Sequence, residues 1–516
     1  MSVPNRSFTK SLKRFVFGYG SDGNPGPAPH FLRLRSHKWF IIITVVLGIY
    51  VDIFLYGSTV VVLPFVLEDQ AGVAEKDIDK WTGYSMLAYS LASLASSPVA
   101  GFMADKANNR RGPLLIGLCF LLAGCICLWA ANNLVVLLLG RVLQGVSAGF
   151  VWSIGLALIV DTVGLYEVGQ TLSYADISLC AGLASAPPVA GIILQYASQD
   201  AVYGLIMGMI LIDVFMRLFL IETKTAKLFD PFLAGPLESG SRLAEERDGE
   251  PKLDETPQVA AVTSQSIRSR EADASFWEYA LILFKSWRML GALIGTWASA
   301  HILITIDVVV PVYCEETFGW DPLMVGMFLL TFYGPCLLCI YTGRLADRYD
   351  GRWLAIGGFL GCVPCFLGLA LVDMVPGDPP ILMWVLMCCA GISLSVANTP
   401  VMAEVVYTLM SKQDEYPILR RNSGGYGLAY GMFMTVFSLG SATASAGSPP
   451  ILETEHGWRS VMYSLAAVCA VTTIPVAMWT GAKRPGGRMG MRKPSEDIEM
   501  QDNAVSQDNA VSSREG

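Results

Sequence analysis

"WFIIITVVLGIYVDIFLYGSTVVVLPFVL", residues 39–67, carries one charged side chain, Asp52, in twenty-nine positions. A bilayer's hydrocarbon core is ~30 Å thick and is crossed by ~20 apolar residues in a helix. This run is therefore long enough to span. Similar runs recur along the 516 residues, which are 53% hydrophobic and only 16% charged. A soluble domain carries about 25% charged residues, so this chain has too little polar surface to fold in water. In hydrocarbon each segment must satisfy its own backbone donors and acceptors, which favours helices. The fold class read here is an all-α membrane protein.

Twelve spans are predicted, at about 39–67, 82–104, 113–131, 134–160, 170–197, 202–221, 289–313, 323–346, 353–373, 380–409, 424–447 and 459–480. Lysines and arginines gather in the N-terminal tail, the second, eighth and tenth connections and the C-terminal tail, while "EDQAGVAEKDIDK" and "EETFGWD" are acidic. By the positive-inside rule both termini face the cytosol, which an even span count requires. The expected organisation is a cytosolic tail (1–38), a six-helix bundle (39–221), a disordered cytosolic linker (222–288), a second six-helix bundle (289–480) and a disordered tail (481–516). The linker is charged, rich in Ser and Pro, and too poor in apolar residues to fold alone. The basic start lacks the pattern of a cleaved signal, so the first span is expected to act as its own insertion signal.

Two connections repeat. "GFMADKANNRRGPLL" (101–115) and "GRLADRYDGRWLAI" (343–356) follow the second and eighth spans, and in each an aspartate precedes an arginine by five residues. Matching loops in two halves point to a transporter built by duplication, with its site between the halves. The expected role of Gly101, Asp105, Arg110, Arg111, Gly343, Asp347, Arg348 and Arg352 is a conformational latch. An aspartate there caps a neighbouring helix N-terminus, and an arginine clamps an adjacent carboxylate.

With these loops the chain resembles the major facilitator superfamily, and within it the twelve-span drug:proton antiporters. Gly101, Asp105, Lys106, Arg110 and Arg111 match the family's loop motif in type, with Asn108 in place of a glycine. The late arginine resembles the spacing of a fungal branch near the vesicular amine transporters, as does "RLFLIE" (217–222). Arg141, Gln144 and Gly145 resemble the family's Arg-x-x-Gln-Gly element. "GLASAPPVAG" resembles the antiporter signature of span five through Gly182, Pro187 and Gly191, with Pro188 beside them and Ala186 and Ala190 where glycine is usual. Asp52 and Pro64 fit the first-span pattern. The paired lysine and aspartate of animal amine transporters in spans two and eleven are missing here, so amine specificity is not implied. The resemblance implies alternating access coupled to protons, with Arg141 in proton coupling.

Ionisable groups at bilayer depth are functional candidates because they are costly to bury. Asp52, Asp307 and Glu404 are read as carboxylates that bind a proton or a cationic substrate, with no local partner for Asp52 or Glu404. His301 is a weaker candidate, and Asp213 and Arg217, four apart, read as a structural helix pair. Gly145/Gly149 and Gly427/Gly431 read as close-packing faces, and Pro187 and Pro188 as a kink in span five. Tyr56, Trp152, Tyr174, Trp297, Tyr333 and Tyr430 are candidate pocket aromatics. "CLLC" (336–339) and "CVPC" (362–365) look like half zinc sites, but no histidine is near either, so no metal and no cofactor is expected.

The sequence thus reads as a secondary transporter rather than an enzyme. The expected activity is proton-coupled antiport exporting a small organic molecule such as a drug or secondary metabolite. The chain is expected to work as a monomer in the plasma or vacuolar membrane, without nucleic acid. A nutrient symporter or uniporter of the same fold, and a non-transporting sensor, are the alternatives.

Overall fold

Apolar runs of this length become helices wherever water is excluded, and a computed structural model of the chain has twelve long ones. It describes residues 31–70, 72–74, 77–107, 109–163, 167–226, 229, 276–372, 379–416, 419 and 423–481. The N-terminal tail before residue 31, the middle of the expected linker, Asn108 and the C-terminal tail lie outside the described residues. Among the described residues there is no strand.

The helices are α1 (Lys38–Phe65), α2 (Ile78–Lys106), α3 (Arg111–Trp129), α4 (Leu134–Val163), α5 (Val168–Tyr196) and α6 (Gln199–Phe219) in the first half. The second half has α7 (Trp287–Phe318), α8 (Leu323–Arg348 as one span), α9 (Gly351–Ala370), α10 (Pro379–Glu415), α11 (Tyr426–Leu452) and α12 (Gly457–Trp479). Local chemistry sets several ends. Ser198 accepts a hydrogen bond from Ala201 N at the start of α6, and Asp350 accepts one from Arg352 N at the start of α9. Gly319, in the left-handed region at φ 61°, ends α7.

Eleven of the twelve are long and apolar enough to cross a membrane. The exception is α11, where Gly, Ser, Thr and Ala and the pair Pro449–Pro450 dilute the apolar residues. Those small residues pay for themselves in packing. Gly427 and Gly431 lie on α2 so closely that an added Cβ would stand 2.5 Å from Gly101 O and 2.7 Å from Ser97 O. Higher up, Ser438 bonds Ser93 at 2.8 Å and Ser441 bonds Ser90 at 2.9 Å. The expected close-packing face is therefore present, and it joins the two halves.

Gly145 and Gly149 do the same between α4 and α2, with virtual Cβ positions 2.2 Å from Tyr89 O and 2.2 Å from Ser96 Oγ. Gly391 repeats the first of these in the second half, 2.0 Å from Phe332 O. In α5 the helix runs unbroken through Pro187 and Pro188, so the expected break in the ladder is only the loss of two donors. Gly182 packs on Ile53 of α1, and Pro188 faces Gly326 of α8 across the halves, whereas Gly191 has nothing within 4 Å of its virtual Cβ.

The expected linker is too wide at both ends. Glu222 is buried and Thr223–Ala226 is helical. Phe276–Phe284 forms a further helix with Tyr279, Ala280 and Leu283 buried. Apolar "FWEYALILF" supplies that surface, and the polar average of the surrounding segment hides it.

Candidate functional site

The repeated loops sit where the halves meet. Asp105, at the end of α2, accepts hydrogen bonds from Gly427 N and Leu428 N, both at 2.8 Å. These are orphan donors of the first turn of α11, and the helix dipole favours the negative charge. Asp347, at the end of α8, does the same to α5, accepting from Gly169 N at 2.8 Å and Gln170 N at 2.9 Å. Each aspartate thus closes on a helix of the opposite half. Glycine is required beside each: a Cβ on Gly101 would meet Gly427 O at 2.1 Å, and one on Gly343 would meet Gly169 O at 2.5 Å.

The arginines differ. Arg110 is buried and pairs with Asp161 of α4 at 2.7 Å and with Asp105 at 3.4 Å. Lys224 also reaches Asp161, at 3.3 Å. Arg111 donates its backbone N–H to Glu222 at 2.7 Å and its guanidinium to the carbonyl of Leu218, tying α3 to the end of α6. In the second loop Arg348 is exposed. Arg352 lies over the Trp353 ring at 5.7 Å, and its backbone N–H donates to the capping Asp350 carboxylate at 3.1 Å. Neither second-loop arginine joins the latch. Tyr407 donates to Asp347 Oδ1 at 2.8 Å instead.

Midway across, a cavity is lined from both halves. Tyr56 (α1), Tyr89 (α2), Trp152 (α4) and Leu183 (α5) face Ile304 (α7) and Phe437 (α11) there. The Tyr56 and Tyr89 ring centroids are 5.0 Å apart, and Trp152 stacks on Phe437 at 6.2 Å. Trp152 and Tyr56 were expected in such a pocket. Tyr174, Trp297 and Tyr430 do not line it.

Asp52 lies on α1 beside this wall, next to the lining residue Ile53, and is wholly buried. Neither of its carboxylate oxygens meets strict hydrogen-bond geometry with a partner, and the Trp152 indole is the one donor that acts on it. The groups that act on it are Trp152, Asp213 and Arg217. Arg217 and Asp213 are themselves paired along α6, at 3.0 and 3.1 Å. One turn below Asp52, Gly48 leaves space for that guanidinium, since a Cβ there would stand 1.8 Å from Arg217 Nη2.

Arg141 is buried without an acid. Its Nε donates to Ser85 at 3.1 Å and its Nη1 to Gln144 at 3.0 Å, and Tyr56, Tyr89 and Tyr203 surround it electrostatically. Tyr89 is the side chain that senses both Asp52 and Arg141. Asp307 on α7 accepts a hydrogen bond from Tyr333, and its second oxygen is unpartnered. His301 stacks on Trp297 and meets Thr443 at 3.2 Å. The tyrosines therefore bring Asp52, Arg141 and Asp307 into one buried layer.

Glu404 departs from expectation. It was read as an unpaired acid in span ten, but Arg288, at the start of α7, holds it with both guanidinium edges: Nε on Oε1, and Nη2 on Oε2 at 3.1 Å. A bidentate pair of this kind ties α7 to α10, and Glu404 is not part of the central layer. Sequence reasoning also missed Asp161 and Asp176. Asp176 was open to the rule that found Asp52, being an acid in the middle of an apolar span.

With this geometry in hand, comparisons with known proteins agree on the family. A family model described as Major Facilitator Superfamily matches residues 44–413, more than half of the chain. The MFS-type transporter ppzB of Metarhizium rileyi is 26% identical over 89% of this chain and 98% of its own length. An uncharacterized MFS-type transporter of Schizosaccharomyces pombe is 26% identical over 80% of this chain and 89% of its own. Among solved structures, the proton:xylose symporter XylE covers 85% of this chain and 94% of its own with a TM-score of 0.66, at 11% identity, a likeness of fold. Twelve helices in two joined halves and a buried cavity between them fit that match, and the chain belongs to the major facilitator superfamily: it is an integral, multi-pass secondary transporter of a small molecule, not an enzyme.

Proposed function

We propose that the protein is a proton-coupled antiporter that exports an amphipathic organic molecule from the cytosol by alternating access. The observation that carries this reading is Asp52, a fully buried carboxylate with no ion pair and only the Trp152 indole acting on it as a donor, beside the wall of an apolar, aromatic-lined cavity. A carboxylate at that depth is costly unless something compensates it, and a proton or the cationic end of a cargo each does so. Competition between the two for one group is the elementary form of antiport, because whatever strengthens one weakens the other. Arg141 acts through Tyr89, favouring the anionic form of the layer once the proton has left.

The apolar, aromatic lining of the cavity suits an amphipathic organic molecule. The cavity's polar lining is the Tyr56 and Tyr89 hydroxyls, the Trp152 indole and four serines already paired as Ser90–Ser441 and Ser93–Ser438, with no charged side chain among them. In this reading both latches lie on the cytosolic face, both termini face the cytosol, and the two six-helix bundles rock as units. The chain works as a monomer in the plasma or vacuolar membrane.

The test is proton flux in liposomes holding a pH-sensitive dye, with a panel of amphipathic cations and secondary metabolites added. Asp52→Asn should cut cargo-evoked proton movement by about tenfold or more while cargo still exchanges for cargo. Unchanged proton movement in that variant would sink the assignment of Asp52. Cargo equilibration without any proton movement in the wild type would leave a uniporter, and no cargo movement at all would leave a sensor.

A further inference from the structure

We propose that a second buried cavity, between α5, α8 and α10, is a binding site for a thiophilic d10 cation such as Zn2+ or Cd2+, with Cys336, Cys339 and Asp176 as its ligands. The spacing of "CLLC" was not enough to say so, because two cysteines three apart on an α-helix diverge. Here α8 tightens into a 3-10 turn over Gly334–Leu338. With three residues per turn, positions i and i+3 eclipse, and the two Sγ atoms come within 3.4 Å.

Both thiols face Asp176 of α5. Cys339 Sγ lies 3.1 Å from Asp176 Oδ2, and the three ligand atoms all fall within 4.8 Å of one another. The aspartate is buried, and its remaining hydrogen-bond partners are neutral: Asn398 at 2.5 Å and Thr399 at 3.1 Å. Among the described residues no cation pairs with it. A buried carboxylate beside two thiols, with no positive partner, is a set of donors that lacks its cation.

The dimensions are close to those an ion needs. Tetrahedral zinc, at ~2.3 Å from sulfur and ~2.0 Å from oxygen, sets S···S at ~3.8 Å and S···O at ~3.5 Å. The Cys336–Cys339 and Cys339–Asp176 separations need to open by only a few tenths of an ångström, and Cys336 Sγ lies within 4.8 Å of the carboxylate. Asn398 and Thr399 then serve as the outer partners that orient the carboxylate. The adjoining cavity, lined by Asp176, Cys180, Cys336 and Asn398, is the side from which a fourth ligand completes the tetrahedron. Cys180, one turn along α5 and lining the same cavity, or a water fills that position. Binding displaces the thiol protons to solvent.

The other pair, Cys362 and Cys365, shows what is special here. It sits on a regular α-helix, and its thiols bond the carbonyls of Ala390 at 3.8 Å and Gly361 at 3.3 Å, away from any carboxylate. Since Asp176 belongs to the first half and the two cysteines to the second, a bound ion bridges the halves and resists their separation.

The experiment titrates Cd2+ into the full-length, detergent-purified protein, kept reduced without thiols. One equivalent should raise the ultraviolet sulfur-to-cadmium charge-transfer band. Cys339→Ala should abolish the band, Asp176→Asn should weaken binding at least about tenfold, and Cys362→Ala should leave it intact. On the wild type alone, Cd2+ should protect Cys336 and Cys339 from alkylation, read by peptide mass spectrometry. Absence of the band in the wild type, its survival in Cys339→Ala, or equal alkylation of both cysteines with and without Cd2+ would each overturn the proposal.

Discussion

The two motif loops do the same thing with different chemistry. Both aspartates accept two backbone N–H bonds from the first turn of a helix in the other half, and both rest on a glycine–glycine approach. Around Asp105, however, stands an ionic cluster in which the buried Arg110 meets the part-buried Asp161, and the exposed Lys224 reaches Asp161 from outside. Around Asp347 the corresponding position is Tyr407. Counting from the equivalent glycines Gly145 and Gly391, Asp161 and Tyr407 each come sixteen residues later, so an acid that holds an arginine has its place taken by a neutral donor. The shared elements, glycine and helix cap, form the contact between the halves. Among the described residues, the charges of the first loop make its side of this contact dependent on an ion network.

The largest effect should come from breaking that network. Arg110→Ala takes the guanidinium from the buried Asp105 and from Asp161, which keep the α11 N-terminus and Lys224 respectively, so the cost should fall at or below the lower end of the about 3–5 kcal/mol for breaking a buried pair. Arg352→Ala, at the matching position, removes a ring contact and should change stability by less than about 0.5 kcal/mol. Thermal midpoints of the two variants in detergent test the contrast directly. If the two shift equally, the second loop has an ionic partner of its own and the asymmetry is wrong.

The shared contact is tested next. Gly101→Ala and Gly343→Ala each place a methyl group against backbone, where nothing flexible can yield. Overpacking of that kind costs about 1–3 kcal/mol, and because it acts only on the closed face, it should move the population towards the open one by up to about a hundredfold. Gly112→Ala, in the same loop with open space around it, should do nothing. Spin labels on the exposed Met103 and Tyr416, one in each half, read the opening as a longer distance. Equal distances in Gly101→Ala and Gly112→Ala would mean the halves do not part at this glycine.

How far the sequence carries depends on the range of the interaction. Spans were legible because twenty apolar residues in a row report on their solvent, and even α11, diluted by glycine and serine, was bracketed by its neighbours. The capping role of Asp105 and Asp347 was legible because a repeat exposes it. Pairings across the bundle were not. Arg288 and Glu404 are 116 residues apart, and nothing local in "NTPVMAEVVY" announces a cation from another helix. Arg352 was expected in the latch because its spacing copies Arg110, but the missing partner is at residue 407, on a different helix. Cys336 and Cys339 read as idle for a similar reason. Their convergence depends on a 3-10 turn and on an aspartate of the other half, and spacing encodes neither.

The smallest of these effects isolates what Tyr407 contributes. Tyr407→Phe keeps the ring and deletes one donor to Asp347, which retains its two backbone partners at 2.8 and 2.9 Å. A hydrogen bond of this kind is worth about 1 kcal/mol, rising towards 3 kcal/mol when the acceptor is charged. The lower figure is expected, because the α5 N-terminus already compensates the carboxylate. The shift in the labelled distance should then be about fivefold in population, visible but well short of the glycine variants. A loss as large as that of Arg110→Ala would mean that the phenol carries the second latch as fully as the arginine carries the first. The two loops would then differ only in the side chain used, and no longer in how strongly each half is held.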